Sequence, residues 1–173
     1  MASRAAAIPQ RATIKQRALD LKEVQACLRD FDHDFPDVVS QALARYLTVR
    51  SAGYLEAVRD DLADLYAFVT GHYRLHRRVV HHLRSGLGVS PEQLLSFVGS
   101  FEKDWRTSLE AVLDDDDQTL RNQLGALVAA RRKIAHGDGD QVTTGKALAW
   151  ADSALELGSE LSKLFDPGGQ ASV

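Results

Sequence analysis

Apolar residues recur every three or four positions along almost the whole chain, which is the spacing of one face of an α-helix. Five stripes carry this pattern, and the first two run over residues 14–31 and 39–68, the second of them through Val39, Leu43, Leu47, Arg50, Tyr54 and Ala57. The other three run over residues 94–112, 120–134 and 148–165. No segment alternates in the manner of a strand, so the pattern predicts an all-α fold.

Residues that start or end helices divide these stripes into separate helices, as in a helical bundle. Ser90, Pro91 and Gln93 form a strong helix start, and Thr143 or Thr144 can cap the last helix. Four successive acids at 114–117 are typical of a helix N-terminus, and a metal site there is the less favoured alternative. We expect an up-and-down bundle of long antiparallel helices with shorter connecting helices.

Length and composition favour one globular domain. The chain has 173 residues, of which 45% are hydrophobic and 26% charged. We expect a flexible N-terminal arm over 1–12, the helical domain over 13–166 and a disordered tail over 167–173. The net charge of −3 argues against binding nucleic acid by bulk charge, although a local basic site remains compatible with it.

Cysteine content and hydropathy indicate the cellular compartment of such a chain. The single cysteine, Cys27, excludes an intrachain disulfide and favours a reducing compartment. No apolar run approaches the ~20 residues that a membrane span needs, so no membrane association is expected. Together these features predict a cytoplasmic protein.

The most informative segment is 127–138, where an apolar helical pattern runs into three cations, a histidine and a glycine. Arg131 continues the stripe of Leu120, Leu124 and Leu127, so we expect it on the buried face. An unpaired guanidinium in a core is very costly, which predicts a polar cleft, a buried partner or a subunit boundary at this point.

The same segment has a simpler interpretation as a helix C-terminus, where cations and a terminal glycine are favoured anyway. Geometry also matters, because positions five apart lie about 140° apart around a helix. Arg131 and His136 therefore converge only if the helix ends or distorts near Ala135, or if Arg131 meets His136 of another copy. Arg132 and His136, four apart, share a face, which makes Arg132 the rival of Arg131.

The segment from Arg131 to Asp138 resembles the signature of the HEPN superfamily, an arginine followed after four to six residues by a histidine. The order of elements is also similar, with a long second helix through Tyr54 and Glu56 and a final amphipathic helix after the motif. The branches most similar to it are the RiboL-PSP-HEPN and MAE_28990-like domains. Arg132 stands where their pattern usually has Asn or Asp.

This resemblance implies a metal-independent endoribonuclease that works as a homodimer, with no cofactor and with the two motif copies facing each other. Such proteins occur in toxin–antitoxin, antiviral and RNA-processing systems. The resemblance and the chemistry together predict that His136 transfers protons and Arg131 clamps phosphate, while Arg132 and Lys133 add phosphate affinity. The alternative is a non-catalytic helical module that binds RNA or a partner protein, such as an antitoxin.

A second basic segment, 72–84, concentrates four histidines and four arginines. A solvated basic helix is the default interpretation, and a zinc site at His72 and His76 is disfavoured because no cysteine or carboxylate motif accompanies them. The functional alternative is a surface that guides RNA toward the motif through Arg74, Arg77 and Arg78.

Overall fold

The computed structural model describes residues 8–30, 37–69, 88–137 and 142–165. Within these ranges the chain forms five helices and no strand, which confirms the all-α prediction. The helices are α1 (Ile8–Arg29), α2 (Asp37–Val69), α3 (Pro91–Gly99), α4 (Lys103–His136) and α5 (Thr144–Leu164). Among the same residues, no helix is long and apolar enough to cross a bilayer.

Helix α1 begins at Ile8, within the stretch that the sequence assigned to the N-terminal arm. Pro9 lies in its first turn, where the missing N–H costs no intrahelical hydrogen bond. The helix buries Ile14, Leu21 and Leu28, and the Gln25 side chain donates to the Asp152 carboxylate at 2.8 Å. These contacts join α1 to α5.

Helix α2 is the centre of the bundle and packs against α1, α4 and α5. Its buried positions include Leu47, Leu55 and Leu62, together with two hydroxyl side chains, Thr48 and Ser51, that bond back to carbonyls one turn earlier. The predicted stripe was wrong at two positions, because Val39 and Arg50 are exposed. Three helices pack on α2, so its buried face is broader than one stripe and is rotated from the predicted line.

Helix α4 breaks where the acidic run was expected to begin a helix. Asp115–Gln118 leave helical geometry, and the last three of these residues have φ between 48° and 63°. Arg121 stabilises the break, because its guanidinium donates hydrogen bonds to Asp114 at 2.6 Å and to Glu92 of α3 at 2.7 Å. The break divides α4 into residues 103–114, which pack with α3, and residues 119–136, which carry the candidate motif.

The ends of the shorter elements follow the predicted signals. The Gln93 side chain accepts from the Ser90 backbone N–H at 3.1 Å, and Pro91 occupies the first position of α3. Thr143 caps α5 by accepting from the Lys146 N–H at 3.3 Å. These caps fix where α3 and α5 start, as the sequence predicted.

Candidate nucleic-acid site at the end of the fourth helix

Residues 119–136 of α4 place the motif at the edge of the core. The buried face of this segment is made of Leu120, Leu124, Leu127 and Ala130. Beyond Ala130 only Ile134 is half-buried, and the remaining residues to Gly137 are exposed. The last two turns of the helix therefore leave the core and present their side chains to solvent.

Arg131 is exposed, which corrects the expectation that it lies on the buried face. The predicted stripe followed spacings of four and three into Arg131, but the core contact at this turn is made by Ala130. A small side chain there lets α4 pack closely while the neighbouring guanidinium reaches water. The described residues of one copy thus form no buried cleft around Arg131.

Arg131 nevertheless has a defined neighbour in α2. Its Nη2 lies 3.7 Å from Oε1 of Glu56, with 45% of the arginine side chain and 38% of the glutamate side chain exposed. An exposed ion pair at this separation contributes at most about 1 kcal/mol. The Glu56 carboxylate thus orients the Arg131 guanidinium, but the ion pair is weak enough to separate.

Nothing in the sequence spacing pointed to Glu56 as a partner of Arg131, because the two residues are 75 positions apart in the chain. The signal that could have found it is indirect. Glu56 is the first carboxylate in α2 after a run that contains only arginines as charged residues. Only the packing of α2 against α4 brings the two side chains together.

His136 is the last residue of α4, and Gly137 ends the helix in the left-handed conformation with φ of 77°. The Gly137 N–H donates to the carbonyl of Ile134 at 3.2 Å. The helix keeps regular geometry from 119 to 136, so the distortion near Ala135 that could have brought Arg131 and His136 together is absent. Within one copy these two side chains leave the helix about 140° apart.

Arg132 and His136 do share a face, as their four-residue separation requires. Arg132, Lys133 and His136 are all exposed at the negative end of the helix dipole, where cations are favoured. Together with Arg131 they form what we call the α4 terminus: Arg131, Arg132, Lys133 and His136. Its chemistry is that of an accessible anion site beside a proton donor and acceptor.

The second basic segment, in which Arg74, Arg77 and Arg78 were predicted to guide RNA, lies outside the described residues. In the part of the chain that the structure describes, no three histidine, cysteine, aspartate or glutamate side chains are grouped so that they could hold a metal ion. This holds also for the acidic run at the α4 break.

Comparison with known protein families, curated proteins and solved structures gives no significant match for this chain. The interpretation of the α4 terminus therefore depends on its own geometry and on the sequence motif.

Proposed function

We propose that this chain is a HEPN-type endoribonuclease that cleaves RNA without a metal ion, as a homodimer, in a toxin–antitoxin, antiviral or RNA-processing setting. The observation that carries the proposal is the α4 terminus, where an arginine and a histidine in the HEPN spacing are both accessible. A regular helix separates them by about 140°, so a site that uses both requires a second copy.

The reaction follows from the two side chains. Neutral His136 accepts the proton of a ribose 2′-hydroxyl, and the 2′-oxygen attacks the adjacent phosphorus. The bond from phosphorus to the 5′-oxygen then breaks, and the 5′-oxygen takes a proton from the protonated imidazole of the partner's His136. The products are a 2′,3′-cyclic phosphate and a 5′-hydroxyl, and Arg131 stabilises the charge that builds up on the phosphoryl oxygens.

The test compares RNA cleavage by the wild-type chain, His136→Ala and Arg131→Ala, all in EDTA. Loss of one general acid–base group is expected to lower the rate by roughly 10²- to 10⁴-fold. Lys103→Ala is the matched control, because it removes an exposed cation from the opposite end of α4 and should cleave normally. Circular dichroism checks that each variant is folded, and analysis of the ends should find the cyclic phosphate.

Equal cleavage by the wild type and His136→Ala would remove the catalytic proposal. Binding of RNA that weakens steeply with salt, without any cleavage, would instead favour the alternative of a non-catalytic RNA-binding module. In that case Arg131→Ala should lower affinity while His136→Ala changes it little, since only the arginine carries a permanent charge.

A further inference from the structure

The first half of α2 carries an exposed apolar seam. Val39, Ala42, Tyr46, Val49 and Gly53 follow one another at spacings of three, four, three and four, and all five are exposed. The exposed fractions are 37% for Val39, 52% for Tyr46 and 39% for Val49. This is the spacing by which one helix packs along another, and no described helix covers it.

Gly53 is the last residue of this seam and has no side chain to keep a neighbouring helix away. A Cβ built on it would meet no atom within 4 Å, so the backbone of α2 is open to the outside there. A glycine inside a long helix costs about 1 kcal/mol of helix stability relative to alanine, and the core gains nothing from it at an exposed position. A glycine at such a position allows a second backbone to approach closely.

Charge along α2 is distributed unevenly. Residues 38–55 contain Arg45 and Arg50 and no acid, whereas residues 56–64 contain four acids and one arginine. Neither Arg45 nor Arg50 has an ion pair among the described residues, and Nε of Arg45 is buried without a hydrogen-bond partner there. Within one copy Glu56 pairs with Arg131, Asp60 with Arg59 and Asp61 with Arg17, so the acidic half offers a partner less charge than this count. The sign of the remaining charge favours an antiparallel pair of α2 helices over a parallel one.

We infer that the seam is the contact surface for a second copy of this chain, whose α2 crosses it antiparallel with Gly53 of both copies at the two-fold axis. In this register the partner's acidic residues 56–64 lie along the half of α2 that carries Arg45, Tyr46 and Arg50. The Tyr46 hydroxyl faces the partner's Asp60, since both residues are seven positions from Gly53.

The same register completes the site at the α4 terminus, and in this respect the inference rests on the proposed function. Glu56, the neighbour of Arg131, is three residues from Gly53 and so about 4.5 Å along the helix from the axis. The two-fold axis that relates two antiparallel helices is perpendicular to the plane that contains them. A given flank of α2 therefore faces the same side of the dimer in both copies. Both copies of Arg131 therefore lie on one side of the dimer, within one helical turn of its axis.

Sedimentation velocity of the full chain, without RNA, tests the surface. We expect a mass of twice 19.0 kDa for the wild type and 19.0 kDa for Val49→Glu, which places a carboxylate beside the partner's acidic half. Leu19→Glu is the matched control, since it makes the same kind of change at an exposed leucine of α1, outside the seam, and should remain a dimer. A monomeric wild type, or a dimer that survives Val49→Glu, overturns the inference.

Disulfide trapping tests the register. In a Cys27→Ser background, Gly53→Cys should cross-link two chains, because a disulfide requires Cα atoms within about 7 Å of each other. Tyr46→Cys should not cross-link, since its two copies would lie about 21 Å apart along the helices. The reverse result would place the axis at Tyr46, keep the two α4 termini apart and overturn the shared site.

These outcomes are separable from the nuclease test. Cleavage that requires His136 in a dimer unaffected by Val49→Glu would retain the proposed function and reject the seam. A dimer cross-linked at residue 53 that fails to cleave RNA would retain the seam and reject the nuclease.

Discussion

Gly158 in α5 lies directly against the ring of Tyr54 in α2, which makes Gly158→Ala a sharp test of the packing between these two helices. The ring atoms Cε1 and Cζ of Tyr54 lie 2.8 Å from where a Cβ on Gly158 would be placed. Real Cβ contacts this short essentially do not occur, so the ring or α5 must move. The ring is only 7% exposed and has little room to do so.

Two opposing effects set the magnitude. Replacing a helical glycine by alanine gains about 1 kcal/mol of helix propensity. Overpacking a buried contact costs about 1–3 kcal/mol, and the upper part of that range applies because a rigid ring is the obstacle. We expect the free energy of unfolding to fall by about 1–2 kcal/mol, which for a chain of this size lowers Tm by about 2–8 °C.

The assay is urea unfolding followed by circular dichroism, combined with a double-mutant cycle. In a Tyr54→Leu background the shorter side chain vacates the ring position, so Gly158→Ala should now stabilise the chain by about 1 kcal/mol. A reversal of sign between the two backgrounds is the expected result. If Gly158→Ala stabilises the chain equally with Tyr54 present, the close α2–α5 contact is not as the structure has it.

Two further predictions concern Tyr66 and Arg59. Burial, and then the charge and hydrogen bond of Glu102, raise the pKa of Tyr66, so Glu102→Gln should lower that pKa while leaving it above its ordinary value. A spectrophotometric titration checks this, with Tyr66→Phe identifying the signal. Stability from this group is present below about pH 10 and is lost as pH rises through the folded pKa. An unchanged titration in Glu102→Gln would contradict the role of Glu102. Arg59 is buried, bonding Asp60 at 2.7 Å and the carbonyl of Gly88 at 3.1 Å, so Arg59→Met should cost about 1–3 kcal/mol in urea unfolding. Arg17 supplies the control, because its side chain is 41% exposed beside Asp61 whereas that of Arg59 is 6% exposed, so Arg17→Met should cost less than about 1 kcal/mol. Equal losses would contradict this difference in arginine burial.

The helical fold could be predicted from the sequence because its signals are local. The start of α3 at Ser90 and Pro91, the cap at Thr143 and the stop at Gly137 each depend on residues within one turn. The exposure of Arg131 could not be predicted in this way. Periodicity gives the angle of a residue around its helix, but the width of the buried face depends on which helices pack there. On α4 the buried face includes Ala130 but not Arg131, and on α2 it leaves out Val39 and Arg50.

The weak pair between Arg131 and Glu56 is suited to a site that must accept phosphate. A short, buried ion pair would hold the guanidinium against any ligand, because breaking it leaves an uncompensated charge in the core. At 3.7 Å, with both side chains more than a third exposed, the carboxylate can be displaced at a cost of at most about 1 kcal/mol. A phosphate offers the guanidinium a two-pronged, charge-assisted contact that is stronger than this exposed pair. Glu56 therefore holds Arg131 near the seam of α2 while leaving it available, which is what the proposed anion-binding cleft between two copies requires.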